Sequence, residues 1–194
     1  MVNRVAISEI CTYSKTRISA SNVNQDNYVG VDNLLQNRAG KTISRYVPKI
    51  GNCTCYEHGD ILIGNINPHL KKIWHADCLG GASGDVLVIR LQDKDKEQLN
   101  TRYLYHVLAS DDFFAYNTQN AKGAKMPHGD KAAIMNYIIP VPSLEEQSRI
   151  VSILDKFDAL VNDISCGLPA EIAARRKQYH YYRDKLLAFE EAGW

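Results

Sequence analysis

Two rhythms of apolar and polar positions divide this chain near residue 143. Before that point the apolar runs are short and rich in β-branched residues, with Gly, Asn, Asp and Pro between them. Ile61-Leu62-Ile63 follows Gly59-Asp60, Val86-Leu87-Val88-Ile89 follows Gly84-Asp85, and Tyr137-Ile138-Ile139 runs into Pro140. Apolar runs of this length, bounded by turn formers, predict strands. In such turns glycine supplies positive φ and aspartate bonds its own backbone. HGDILIG and SGDVLVI look alike as two turns leading into strands, not as units of a repeat architecture. Helices interrupt the strands. Tyr103, Leu104, Val107, Leu108, Phe113 and Phe114 recur at roughly helical spacing, which predicts a helix over TRYLYHVLASDDFFAYN with Asn100 as its cap. A shorter helical stretch begins near Ser8.

After residue 143 the period becomes helical throughout. Ser143 followed by Glu146 is the signature of a capping box. Ile150, Leu154, Phe157, Leu160, Val161 and Ile164 then form one apolar stripe. Gly167 and Pro169 interrupt it, and Pro169 suits the first turn of a new helix because its missing N–H costs nothing there. The second helix runs to about Phe189 with Ile172, Tyr179, Tyr182, Leu186 and Phe189 on one side. A helix pair this apolar on one face needs cover. Either its own domain or another chain can supply it, and a spacing near 3.5 residues favours another chain. The expected fold class is α+β: a mixed α/β domain over residues 1–143, then a long coiled-coil-like helical region over 144–194.

The chain's 194 residues, 45% hydrophobic and 23% charged, suffice for one domain with a real core plus an appendage. A net charge of +1 does not by itself announce a nucleic-acid partner. The charge is uneven, however. Residues 1–90 carry ten Lys/Arg against seven Asp/Glu, whereas residues 144–194 carry seven against nine. That asymmetry is compatible with DNA at one end and protein contacts at the other. No stretch approaches the roughly 18 apolar residues of a membrane span, and MVNRVAISEI lacks the apolar run of a secretory signal. The five cysteines, Cys11, Cys53, Cys55, Cys78 and Cys166, are odd in number. Without a signal peptide this predicts reduced thiols in a cytoplasm.

No catalytic signature stands out. There is no phosphate-cradling glycine loop, GxSxG elbow, HExxH helix or glycine fingerprint for S-adenosylmethionine. Cys53, Cys55 and His58, with His75 and Cys78, are the closest approach to a zinc set. Their spacing is not a common finger pattern, so no metal is expected. Two loops are more informative. The first, Gly64 to Trp74, holds Asn65, Asn67, His69, Lys71 and Lys72. The second, Asn117 to Lys131, holds Lys122, Lys125, His128 and Lys131. Asparagine can pair bidentately with adenine edges and lysine neutralises phosphate. Glycines permit close backbone approach to a ligand. Ordinary polar surface turns fit the same compositions equally well.

At these residues the chain resembles a known family. NINPHLKKIW, GGASGDVLV, GAKMPHGDKAAIMNYIIPVPSLEEQSRIVSILDKFDALV and GLPAEIAARRKQYHYYRDKLLAF together resemble the specificity subunit of type I restriction-modification systems. IPVPSLEEQSRIVSILDKFD is the most specific phrase, and YVGVDNLLQNRAG is similar but less distinctive. The resemblance implies a target-recognition domain over 1–143 and a conserved spacer over 144–194 that sets the gap between half-sites and docks methyltransferase subunits. It implies double-stranded DNA as ligand, no chemistry and no cofactor on this chain, S-adenosylmethionine on the methyltransferase partner, and a motor subunit that joins for cleavage. The family's usual subunit has two recognition domains, and this chain has room for one. Pairing of two such chains through Ile150, Leu154, Phe157, Leu160, Val161, Ile172, Tyr179, Tyr182 and Leu186 would rebuild the two-fold arrangement. The family often has arginine at the positions of Asn67 and His128, so a phosphate grip is less secure there. Other classes stay open: a helical assembly protein without DNA contact, a nuclease fragment, or the recognition domain of a fused methyltransferase-nuclease.

Overall fold

The computed structural model describes residues 2–163 and 169–189. The strands are β1 (Asn3–Ala6), β2 (Cys11–Tyr13), β3 (Arg17–Ser19), β4 (Tyr28–Val29), β5 (Asn52–Tyr56), β6 (Ile61–Gly64), β7 (Ile73–His75), β8 (Gly80–Ala82), β9 (Val86–Leu91) and β10 (Ile138–Val141). The helices are α1 (Ile7–Ile10), α2 (Thr101–Leu108), α3 (Asp111–Gln119), α4 (Lys131–Asn136), α5 (Leu144–Asp163) and α6 (Pro169–Leu187). This is an α+β fold closed by a helix pair. None of the helices described is long and apolar enough to cross a membrane.

A central antiparallel sheet has the order β2-β9-β6-β7, and an outer sheet has the order β3-β5-β8-β4, with β4 and β8 parallel. The apolar runs are continuous because both faces of the central sheet are covered. Ile61, Ile63, Leu87, Ile89 and Leu91 point to the helices, where they meet Leu104, Leu108, Phe113 and Ile150. The alternate residues Leu62, Val86 and Val88 point to the outer sheet and meet Val29, Tyr56 and Ala82. A strand buried on both faces cannot alternate apolar with polar.

The two similar turns differ in detail. Gly59 has φ 90° and Asp60 accepts the Glu57 N–H at 2.8 Å, as expected. Asp60 also takes a bidentate grip from Arg90. Gly84 is not in the left-handed region, and its turn closes by Val86 N–H donating to Ser83 O at 3.2 Å. The helix expected after Asn100 is two. Asn100 caps α2 by accepting from Arg102 and Tyr103 N–H, but Ser110 then interrupts and caps α3 by accepting from Phe113 N–H at 3.1 Å. Asp111 and Asp112 in the first turn of α3 suit its dipole. Half of the expected capping box forms at α5. Ser143 Oγ accepts the Glu146 N–H, while the Glu146 carboxylate turns to Arg149.

Helix α5 packs on α2, and α6 packs on α5. Ile150 and Leu154 are fully buried and Tyr179 nearly so, all within the same core as the central sheet. These residues bury their apolar surface inside this chain, so they offer none to a second one. Phe157 and Leu186 are partly buried against that core. Phe157 stacks on Tyr182 with ring centroids 5.8 Å apart, and Tyr182 and Tyr181 remain exposed. The side chains of Leu160, Val161 and Ile172, and all of Ile164, lie outside the described residues. Strand β1 pairs with β10 just before the helix pair, and Arg4 donates to Phe189 O at 2.9 Å.

Candidate nucleic-acid interface

The structure joins the two loops. Residues 65–72 connect β6 to β7 through a 3-10 turn, Pro68–Leu70. Residues 120–130 connect α3 to α4. Asn67 N–H donates to Pro127 O at 2.8 Å, Gly129 N–H donates to Asn65 O at 3.1 Å, and Ile66 bridges to His128. The second loop also closes on itself, since Lys122 and His128 exchange both backbone hydrogen bonds at 2.8 Å. Its tip, residues 123–126, is exposed, and Gly123 at φ 105° makes the reversal possible. The product is a short finger braced on a hairpin, so its backbone is largely ordered before anything binds.

The nine candidate residues divide by surroundings. His69, Lys122, Lys125 and Lys131 are exposed, and Asn67 and His128 are half-buried. Lys122 pairs with Asp130, the carboxylate that also caps α4 through Ala132 and Ala133 N–H. Among the described residues Lys125 has no ion pair. His128 Nδ1 lies 2.8 Å from Met126 O, which leaves its Nε2 edge for a ligand. Asn67 and Lys71 both have φ 52°, a left-handed conformation that asparagine tolerates well and lysine poorly.

Three candidates are not the free surface groups that the composition suggested. Asn65 is buried, and Lys71 donates to Asp111 at 2.6 Å. Lys72 donates to Val31 O. Their work is internal: Asn65 underlies the finger, and the lysines tie the hairpin to α3 and to the turn after β4. A Cβ at Gly129 would lie 2.6 Å from Asn117 Oδ1 and 2.9 Å from Asn65 Oδ1. The close approach that requires this glycine is therefore to two buried amides, not to a ligand.

Asp111 is a hub that composition did not reveal. Arg38 and Lys71 both bind its Oδ1, and Arg183 stands 3.7 Å from Oδ2. Burial pushes its pKa up, but the hydrogen bonds from Lys71 and Arg38 outweigh that and leave the carboxyl well below the usual range. A second hub joins α2 to α5. His106 Nε2 lies 2.9 Å from Asp155 Oδ1, and Arg102 reaches both Asp155 and Asp158. Burial works against the Asp155 charge, yet His106 and Arg102 hold its pKa down at about 2. Burial likewise lowers the pKa of His106, which works against its charged form. His106, Asp155 and Asp158 gather as metal ligands would, but the Arg102 guanidinium already occupies the carboxylates. Cys53, Cys55, His58, His75 and Cys78 do not assemble into such a group, and Cys11, Cys53, Cys55 and Cys78 are free thiols. Cys166 lies outside the described residues.

Residues 2–174 match the family model described as "Type I restriction modification DNA specificity domain". The EcoR124I/EcoR124II specificity subunit of Escherichia coli is 43% identical over 93 residues, which is 48% of this chain and 23% of that protein. The HsdS subunit of Thermoanaerobacter tengcongensis superposes with a TM-score of 0.58 at 23% identity, covering 84% of this chain and 43% of that one. A chain from a structure of type I R-M complex assembly and conformational transition gives 0.60 at 19% identity, covering 96% of this chain and 45% of the other. Both structural likenesses establish the fold. The chain spans less than half of each solved relative.

Proposed function

The chain belongs to the type I restriction modification DNA specificity domain family, and from that premise we propose that it reads one half of an interrupted site in double-stranded DNA and docks methyltransferase subunits through its helices. The observation that supports this best is the pair of loops bonded into one exposed, lysine-bearing finger. Lys122, Lys125 and Lys131 hold backbone phosphates, and His69, His128 and Asn67 face base edges. Each good bidentate base contact adds about 1–3 kcal/mol of discrimination. Asn65, Lys71 and Lys72 keep the hairpin in place beneath them.

The recognition unit is residues 1–143, and residues 144–194 form the docking and spacing unit. The chain performs no chemistry. S-adenosylmethionine binds on the methyltransferase partner, and a motor subunit joins for cleavage. Two copies paired through their helices would present two fingers with two-fold symmetry and read a palindromic interrupted site. Exposed Tyr181 and Tyr182 on α6, not Ile150 or Leu154, are the aromatic surface such pairing would use.

Selection of bound duplexes from a random pool, with the chain alone and with its methyltransferase subunit, tests the reading. A symmetric interrupted motif is expected, and no enrichment in either condition would overturn it. Lys125→Ala should weaken binding to all sequences alike and lower the slope of log affinity against log salt by about 0.9. A changed sequence preference instead would mean that Lys125 reads bases.

A further inference from the structure

Between Asp32 and Glu57 the chain carries Arg38, Lys41, Arg45 and Lys49 and no carboxylate. Two of these cations are engaged internally. Arg38 binds Asp111, and Lys41 donates to Asp26 O beneath the Trp74 ring. Arg45 and Lys49 stand exposed on the loop of residues 42–51. Beside them Ile43 is 59% exposed, Tyr46 72% and Ile50 89%.

This loop is anchored. Ser44 is buried, its N–H donates to Gln25 O at 2.9 Å and its hydroxyl donates to Tyr46 O at 2.7 Å. Val47 packs on Val23, Tyr28 and Cys53. Gly51 O accepts the Ala20 N–H at 2.9 Å. Fixed backbone thus holds three apolar side chains out in water next to two cations. Folding recovers nothing from that apolar area, and such clusters mark binding surfaces.

Register places the loop with the finger. Thr54 of β5 lies opposite Ala82, the last residue of β8, so the start of β5 sits at the β8 exit. Residues 83–85 turn into β9, whose first residue Val86 lies opposite Gly64, the last residue of β6. Asn65 N–H donates to Asp85 O at 2.8 Å across this end. The start of β5, the β8–β9 turn and the β6–β7 hairpin therefore share one end of the two sheets. Lys49 and Ile50 enter β5 there, at the same end as His69 and the finger.

We propose that residues 42–51 form a second DNA-contacting arm, with Arg45 and Lys49 on phosphates and Ile43, Tyr46 and Ile50 against the bases. The proposal rests on the reading that this chain binds DNA. Two exposed cations in a stretch without carboxylates complement a polyanion. Isoleucine suits the thymine methyl, and apolar or aromatic side chains can wedge at a base step. Asp85, exposed in the turn between the arms, is an acceptor that fits a cytosine amino group.

The test uses the full chain on random-sequence duplex from 50 to 200 mM salt, together with selection from a random pool. Arg45→Ala/Lys49→Ala should lower the salt slope by about 0.9 for each phosphate that the arm no longer grips, with melting unchanged. Tyr46→Ala/Ile50→Ser should keep the slope and change the enriched sequence at positions other than those altered by His69→Ala. The arm is refuted if both loop variants match the parent chain while Lys122→Ala/Lys125→Ala still lowers the slope, which leaves the finger as the DNA site. It is also refuted if the loop variants bind DNA normally and lose the methyltransferase subunit. A parent chain that binds no DNA overturns the proposed function and this arm with it.

Discussion

Single residues show where a composition argument stops. Asn100 as a helix cap is legible because its partners are two and three positions away. Lys71 and Lys72 read as solvent-facing cations because lysine usually is one, yet their partners lie 40 and 41 positions distant. Nothing local announces that Asp111 will collect Arg38, Lys71 and Arg183. Removing it would leave the nearly buried Arg38 without its carboxylate partner, while the fully buried Arg183 would keep Asp184 at 2.9 Å. Asp111→Asn should cost about 2 kcal/mol, between the values for exposed and buried pairs, as a lower urea midpoint with an unchanged slope. Gln147 teaches the same lesson from within the family phrase SLEEQ. Its buried amide accepts from Asn100 N–H and donates to Gln98 O and Pro142 O, which pins the start of α5 to the start of α2.

Among elements, those with a strong local signature are the readable ones. β6 and β9 are legible as strands because each is a continuous apolar run after a turn. That they pair, and that both faces are covered, depends on packing no local window contains. The α2–α3 break is hidden because the apolar positions continue across it in near-helical register. The signal is present in Ser110-Asp111-Asp112, a cap followed by two carboxylates. Ser110→Ala should cost about 1 kcal/mol and speed amide exchange in the first turn of α3 while leaving α2 protected. Equal exchange in both helices would mean that the cap is idle. The stripe along α5 is legible as apolar, but its cover is not. Ile150 and Leu154 face α2 and the sheet, and only part of the stripe is left over.

For the molecule as a whole, acid is the natural probe of the contact between the helix pair and the sheets. A cleft of about 550 Å³ there is lined by Arg102, Asp155, Asp158, Arg176, Tyr179 and His180. Burial, with Arg102 and His58 beside His75 and Arg183 and Arg38 beside His180, lowers both imidazoles to about 4. An unfolded chain takes up these protons near 6.5. Their contribution is therefore complete above about pH 6.5 and is lost as pH falls towards 4. Asp155, held at about 2, extends the loss further into acid. The melting temperature should change little between pH 7.5 and 6.5 and fall from there to pH 5, with roughly 1 kcal/mol of stability lost per histidine after allowance for solvent screening. A flat profile over that range would show that these side chains hydrate on protonation without loosening the fold.

The hydrogen bond from Arg4 to Phe189 carries a consequence of another kind. With β1 sewn to β10 and the Arg4 side chain reaching the residue that follows α6, Arg4 and Phe189 of the chain lie side by side. Cutting the chain in the exposed turn at residues 94–97 and bridging these two ends with a short linker would leave every sheet register and both hubs intact. The order in which the elements are synthesised is then free to change while the object they build stays the same.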